Sequence, residues 1–341
     1  MARRHRTAFT IDGVSVPPGS RETIQLDVAQ LYTHTPINMP VHVVHGRREG
    51  PVLCLSAAVH GDEINGIEII RRVLALPQLR RMRGTLLAVP IVNVYGVLAQ
   101  TRYLPDRRDL NRSFPGSPSG SLAARLASLF VSQVLERASH VIDLHTGTAH
   151  RSNLPQIRAN LDDPITLDLA RSFAAPVIIN SDLRDGSLRH AADERGVPAL
   201  LYEAGEALRF DEESIRLGVR GVVGVMRRLG MLPRVRVKHP PRQPVQVEMT
   251  RWVRADNSGI LRTTVRLGQH VHKGSRIGLI SDPFGDSETQ VDAAFSGIVI
   301  GRVNLPLVHE GDALFHVARV REPEKASELV EELTGGEDSG D

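Results

Sequence analysis

Two short stretches carry residue types that bind metal ions. In Val59-His60-Gly61-Asp62-Glu63 an imidazole and a carboxylate stand three residues apart, and Asp143-Leu144-His145 supplies a second imidazole. Each follows an apolar run, so both sit where a strand gives way to a turn. Two histidines and one glutamate leave one position open on four-coordinate zinc, which is the arrangement of a catalytic rather than a structural site. The chain holds one cysteine, Cys54, which excludes an internal disulfide and a cysteine cage. One Zn²⁺ per chain is therefore expected on His60, Glu63 and His145.

Zinc held there would lower the pKa of a bound water to about 7 and polarise a substrate carbonyl. That water needs a base, and Glu203 is the best candidate. It ends the apolar run Pro198 to Glu203, where partial desolvation would move its pKa toward the working range. Glu206 competes but lies beyond a glycine. Asp62 is expected to cap the helix that follows. Asp143 is expected either to orient a metal-bound histidine or to cap backbone amides. Alone, His-x-x-Glu says little in a chain with 14 histidines.

Five continuous apolar runs, 52–59, 85–92, 140–144, 176–180 and 198–203, have the pattern of strands buried on both faces of a parallel sheet. Apolar residues at helical spacing fill 64–76, 122–134 and 211–229. This alternation predicts an α/β fold with a sheet covered by helices on both sides. His60, Asn93, His145 and Glu203 all fall at or just past the C-terminal ends of strands, the edge where such sheets bind ligands. The first 50 residues read as extra strands joined to that core.

Composition narrows the class. The 341 residues carry a net charge of +3, and three lysines stand against 39 arginines that are dispersed rather than run together. No basic run is interleaved with aromatics, so no nucleic-acid partner is expected. No apolar stretch approaches the ~20 residues of a membrane span, and the basic start lacks the apolar stretch of a signal peptide. A cytoplasmic protein with no membrane partner is expected, with homo-oligomer formation left open. Cys54, inside an apolar strand, reads as a buried inert thiol.

After Pro233 the character changes. HPPRQP at 239–244 looks like a linker, and glycine-rich short β runs follow. LGQHVHKGSRIGLI (267–280) echoes NLPLVHEGDALFHV (304–317), which suggests two similar hairpins packed face to face. His272 and His309 read as exposed turn residues. The division expected is 1–236 for a catalytic domain, 237–321 for a β-rich domain, and 322–341 for a solvated acidic helix fading into a disordered tail.

HGDE (60–63), the Asn93 turn, TRY (101–103), DLNR (109–112), DLH (143–145) and EAG (203–205) occur together in one order. In these pieces the sequence resembles the succinylglutamate desuccinylase/aspartoacylase family over roughly residues 50–230. The resemblance implies a zinc carboxypeptidase-like mixed sheet flanked by helices. It also implies His60, Glu63 and His145 as zinc ligands and Glu203 as general base and proton shuttle. Arg102 would polarise the scissile carbonyl and stabilise the oxyanion, while Asn111 and Arg112 would bind a substrate carboxylate, a task suited to guanidinium. A further arginine upstream of the glutamate is Arg189 or Arg195, neither matching clearly. The C-terminal part, with GQHVHKG (268–274) and AAFSGIV (293–299), resembles a lipoyl/biotinyl barrel-sandwich domain. No lysine stands between those halves, so a carrier role is not expected.

The activity expected is hydrolysis of the amide of a small N-acylated amino acid by zinc-activated water with Glu203 as base. A metallocarboxypeptidase acting on short peptides and a non-catalytic scaffold are the rivals.

Overall fold

The computed structural model describes residues 6–234 and 243–334. Residues 239–242 of the linker-like stretch, the 236/237 boundary and the tail from 335 lie outside the described residues.

The fold is mixed α/β, built on one long twisted sheet. Its centre is four parallel strands in the order Arg83–Val89, Arg48–Ala57, His140–Gly147, Ala199–Glu206. These are four of the five apolar runs. Alternate residues feed opposite cores: Leu53, Leu55 and Ala57 pack under the helices Asn65–Ala75, Pro164–Phe173 and Glu212–Arg228. Cys54 and Val59 pack toward Leu122–Gln133 on the other face. Burial on both faces is why these strands read as continuous apolar runs. The Leu122 and Glu212 helices begin at the side-chain caps of Ser121 and Asp211.

The chain leaves the Arg48–Ala57 strand toward Arg83–Val89 on one side, while His140–Gly147 pairs on its other side. A crevice opens where connections diverge in this way. Outside Arg83–Val89 the sheet continues through the antiparallel strands Pro36–His45 and Ser20–Gln30, the extra strands expected at the start.

The fifth apolar run, Val177–Asn180, does not join the parallel set directly. Between it and Ala199–Glu206 lies Arg151–Ala159, antiparallel to the latter and parallel to the former. Its sequence, RSNLPQIRA, hides it. Pro155 has no amide to give a ladder, and it sits where the register with Ala199–Glu206 shifts.

Beyond residue 243 the chain is all β up to Pro323, and its strands fall in two sheets around a core that includes Phe295, Leu314 and Phe315. One is a four-stranded sheet of its own. The other extends the long sheet, because Gly297–Val303 pairs with the Arg151 end of Arg151–Ala159. The internal echo does not make two hairpins. His270–Val271 belongs to the long sheet and Arg276–Ser281 to the small one, whereas Leu307–Val308 and Ala313–Arg319 take the reverse places. Each copy thus crosses between sheets, a pseudo-twofold swap that sequence similarity alone cannot distinguish from hairpins. His272 and His309 are exposed at the turns. The acidic helix Pro323–Thr334 is not solvated all round: Ala326 and Val330 are buried in an apolar cluster with Leu154 and Ile298, and Leu329 is buried too.

Candidate metal centre and active-site cleft

The HGDE turn is shaped by close backbone approach. The Arg48–Ala57 strand ends, Ala58 takes a left-handed φ of 50°, and Glu63 N donates to His60 O at 3.1 Å. Gly61 lies against the helix Val94–Ala99 so tightly that a Cβ would stand 1.9 Å from Gly96 C. Only glycine fits there. The Val94 helix is itself capped by Asn93, whose Oδ1 accepts from Gly96 N at 2.9 Å and whose Nδ2 donates to Arg102 O at 3.4 Å. Asn93 is therefore a scaffold residue joining the HGDE turn to the TRY loop.

Asp62 does not cap the helix. Helix Asn65–Ala75 starts at Ile64 without a side-chain cap, and Asp62 Oδ1 is buried with no hydrogen-bond partner in the structure. Asn65 instead clamps the neighbourhood, giving Nδ2 to Ala204 O at 3.2 Å and taking Asp211 N at 3.0 Å.

His60, Glu63 and His145 converge, their candidate ligand atoms all within 4.8 Å of one another and all three side chains buried. His60 Nδ1 lies 2.8 Å from Glu63 Oε1 and His145 Nδ1 2.7 Å from Glu63 Oε2. Each imidazole uses its other nitrogen on an outer carboxylate: His60 Nε2 on Asp109 Oδ1 at 3.1 Å, His145 Nε2 on Asp143 Oδ2 at 2.7 Å. Asp143 Oδ1 is anchored by Ser56 Oγ at 2.7 Å, so Asp143 orients the imidazole rather than capping amides. Metal-binding histidines are oriented in this way, with carboxylates fixing tautomer and ring plane. The donor chemistry fits zinc.

The charges agree. Burial pushes the Glu63 carboxyl up, but His60 and His145 outweigh it and hold it far below the usual carboxylate range. Burial opposes charge on His145, yet Asp143 and Glu63 raise it well above its ordinary value.

Around these groups lies a cleft of about 230 Å³. Arg102, Asn111, Arg112, Arg189 and Glu203 all line it; Arg195 does not, and its Nη1 donates to Ala191 O. Arg102 reaches Glu63 Oε1 at 3.2 Å and Asp109 Oδ2 at 2.9 Å. Asn111 Oδ1 is taken by Leu188 N at 2.9 Å, which turns the amide NH₂ toward other partners. Arg112 donates to Asn111 O and has no carboxylate partner among the described residues. Arg189 is buried and held by Ser181 O, Ser181 Oγ and Asp182 O. Burial, aided by the charge of Arg158, lowers its pKa to about 10, so it stays cationic at neutral pH. Glu203 faces His145 in register on the adjacent strand. Past it, Gly205 takes a φ of 76° at the bulge where the strand's registers shift.

Sequence reasoning missed three lining or supporting groups. Asp109 was visible in DLNR but its pairing with both His60 and Arg102 was not. Arg158 lies on the unread strand and forms an ion pair with Glu203 at 2.7 Å. Trp252, the chain's one tryptophan, comes from the β-rich part and stacks on His316 with centroids 4.6 Å apart. Its uniqueness was the one available signal.

The succinylglutamate desuccinylase/aspartoacylase catalytic-domain family model matches residues 49–229, just over half of the chain. The N-alpha-acetyl-L-2,4-diaminobutyric acid deacetylase of Halomonas elongata is 29% identical over 299 residues, covering 84% of this chain and 87% of that protein. A succinylglutamate desuccinylase/aspartoacylase crystal structure from Rhodobacter sphaeroides superposes with a TM-score of 0.77 at 25% identity, covering 88% of this chain and 96% of that one. The product-bound ectoine utilization protein EutE (DoeB) of Ruegeria pomeroyi gives 0.78 at 24% identity, covering 87% and 95%.

Proposed function

We propose that this chain, which belongs to the succinylglutamate desuccinylase/aspartoacylase family, is a zinc-dependent deacylase that hydrolyses the amide of a small N-acylated amino acid. One observation carries this reading: the buried His60–Glu63–His145 group and Glu203 share a cleft with arginines from several elements. The likeness to a deacetylase of an N-acetylated diamino acid supports it.

His60, Glu63 and His145 would hold the metal, Asp109 and Asp143 keeping the two imidazoles in place. When bound there, zinc supplies Lewis acidity toward the acyl carbonyl and makes water a nucleophile near neutral pH. Glu203 takes the proton of the attacking water and returns it to the leaving amine nitrogen. Arg102, its guanidinium fixed by Glu63 and Asp109, meets the negative charge that develops on the carbonyl oxygen. The free NH₂ of Asn111 and the uncommitted donors of Arg112 bind the carboxylate of the amino acid. Arg189, closer to the cleft than Arg195, takes a second polar group of the substrate.

The cleft is small, about 230 Å³, and Trp252 from the β-rich part lines it, which fits a small substrate. The catalytic unit is assigned to 1–236, with the β-rich domain following it as a wall of the cleft and the whole protein placed in the cytoplasm. Among the described residues no helix is long and apolar enough to cross a membrane.

The test is release of acid from N-α-acetyl-L-2,4-diaminobutyrate, N-acetylaspartate and N-succinylglutamate set beside hydrolysis of tripeptides. Turnover of an acylated amino acid with tripeptides left intact supports the deacylase. Turnover confined to the tripeptides would replace it with the peptidase.

A further inference from the structure

Glu203 has a partner that the sequence did not reveal. Leu201 pairs with Arg158, and Glu203 with Gln156, across the antiparallel ladder. Cross-strand partners and residues two apart share a face, so Arg158 and Glu203 stand diagonally on the cleft side. The guanidinium Nε of Arg158 lies 2.7 Å from Glu203 Oε2, and each side chain is only 21% exposed. Gln156, the direct cross-strand partner of Glu203, has an amide that is fully buried and makes no hydrogen bond. Neither carboxylate oxygen of Glu203 takes a hydrogen bond among the described residues; Oε2 stands in the ion pair, which leaves Oε1 for chemistry.

From this geometry we propose that Arg158 is a positioning residue: it fixes one oxygen of Glu203 so that the other is presented to the reacting water and amine. The inference rests on the deacylase reading with Glu203 as base. The terminal torsion of a glutamate is broad and its side chain gives up considerable rotamer freedom when held. The restraint is electrostatic: the ion pair stands at 2.7 Å before substrate arrives, while Arg158 Nε makes no hydrogen bond. The charge of Arg158 also reaches His316, whose pKa burial first and that charge second lower to about 3. His316 is therefore neutral and cannot compete for the carboxylate. Because His316 stacks on Trp252, the contact that orients the base lies at the junction with the β-rich part.

The test is steady-state kinetics of zinc-loaded wild type, Arg158→Ala, Arg158→Gln and Glu203→Gln on N-α-acetyl-L-2,4-diaminobutyrate. Misplacing a catalytic group by ~1 Å costs about 100-fold, so kcat of Arg158→Ala should fall roughly 10- to 100-fold. KM should stay within about twofold of wild type and zinc content should be unchanged, because the residue acts through Glu203 rather than on substrate. Added guanidinium should restore part of the rate to Arg158→Ala, which repair of general stability would not do. Should Arg158→Ala fail to fold, Arg158→Gln carries the same kcat and KM test. Wild-type kcat in the charge-free variants, or a raised KM with kcat kept, would overturn the inference while an inactive Glu203→Gln left the deacylase reading standing. A fully active Glu203→Gln would remove the base assignment and the positioning role together.

Discussion

Replacing Gly61 with alanine separates the role of the HGDE backbone from that of its side chains. The added Cβ would stand 1.9 Å from Gly96 C and 2.3 Å from both Gly96 Cα and Val97 N. All three are backbone atoms of a short helix capped by Asn93, so no flexible side chain can yield. Restoring a carbon contact of about 3.5 Å requires the two segments to part by more than 1 Å. Overpacking of this kind costs about 1–3 kcal/mol, a drop of several degrees in Tm that leaves the protein folded. The displacement falls between His60 and Glu63, the two proposed ligands that the turn must hold together. Ligand placement is less forgiving than the fold, so kcat should fall at least about 100-fold. Zinc affinity, read by competition with a chromophoric chelator, should weaken by about 10- to 100-fold, comparable to loss of an outer carboxylate. Wild-type zinc affinity and kcat in a folded Gly61→Ala protein would refute the claim that backbone approach sets the site.

Three further outcomes follow from the same geometry. Glu203→Gln should lower kcat by about 100- to 10,000-fold while zinc content, measured by elemental analysis, stays at the wild-type level. Arg112→Ala should reduce kcat/KM for N-acylated amino acids by roughly 10- to 100-fold, the worth of a hydrogen bond to a charged group; equal loss on an amide substrate lacking the carboxylate would remove Arg112 from carboxylate binding. Cys54 is fully buried, and burial, with Asp143 nearby, pushes its thiol up from the ordinary value. It should therefore resist disulfide-exchange reagents at pH 8 until the protein is unfolded in denaturant, rapid labelling of native protein being the contrary result.

The parts of the fold that follow from local rules were legible in the sequence. Four parallel strands betrayed themselves by burial on both faces, and the Leu122 and Glu212 helices by apolar spacing. The convergence of His60, Glu63 and His145 was legible because they sit at strand ends of the centre of the sheet. What depended on pairing between distant segments was not. Arg151–Ala159 has a proline and charged residues where apolar ones would have flagged a strand, so Arg158 could not be placed beside Glu203. The crossed strands of the echo at 267–280 and 304–317 are a choice between two sheets, which similarity of sequence does not encode. Asp62 carried the right residue type for a cap, but the close approach of Gly61 to Gly96 sets the turn and leaves its carboxylate buried beside the site.

The most direct test of the account is acetate release from N-α-acetyl-L-2,4-diaminobutyrate by protein as purified, after chelation, and after titration with Zn²⁺. The account predicts that chelation abolishes the rate and that it returns in proportion to zinc, levelling off at one ion per chain, with no recovery in His145→Ala. Undiminished hydrolysis by protein that elemental analysis shows to be metal-free, or full zinc-dependent activity in His145→Ala, would contradict it.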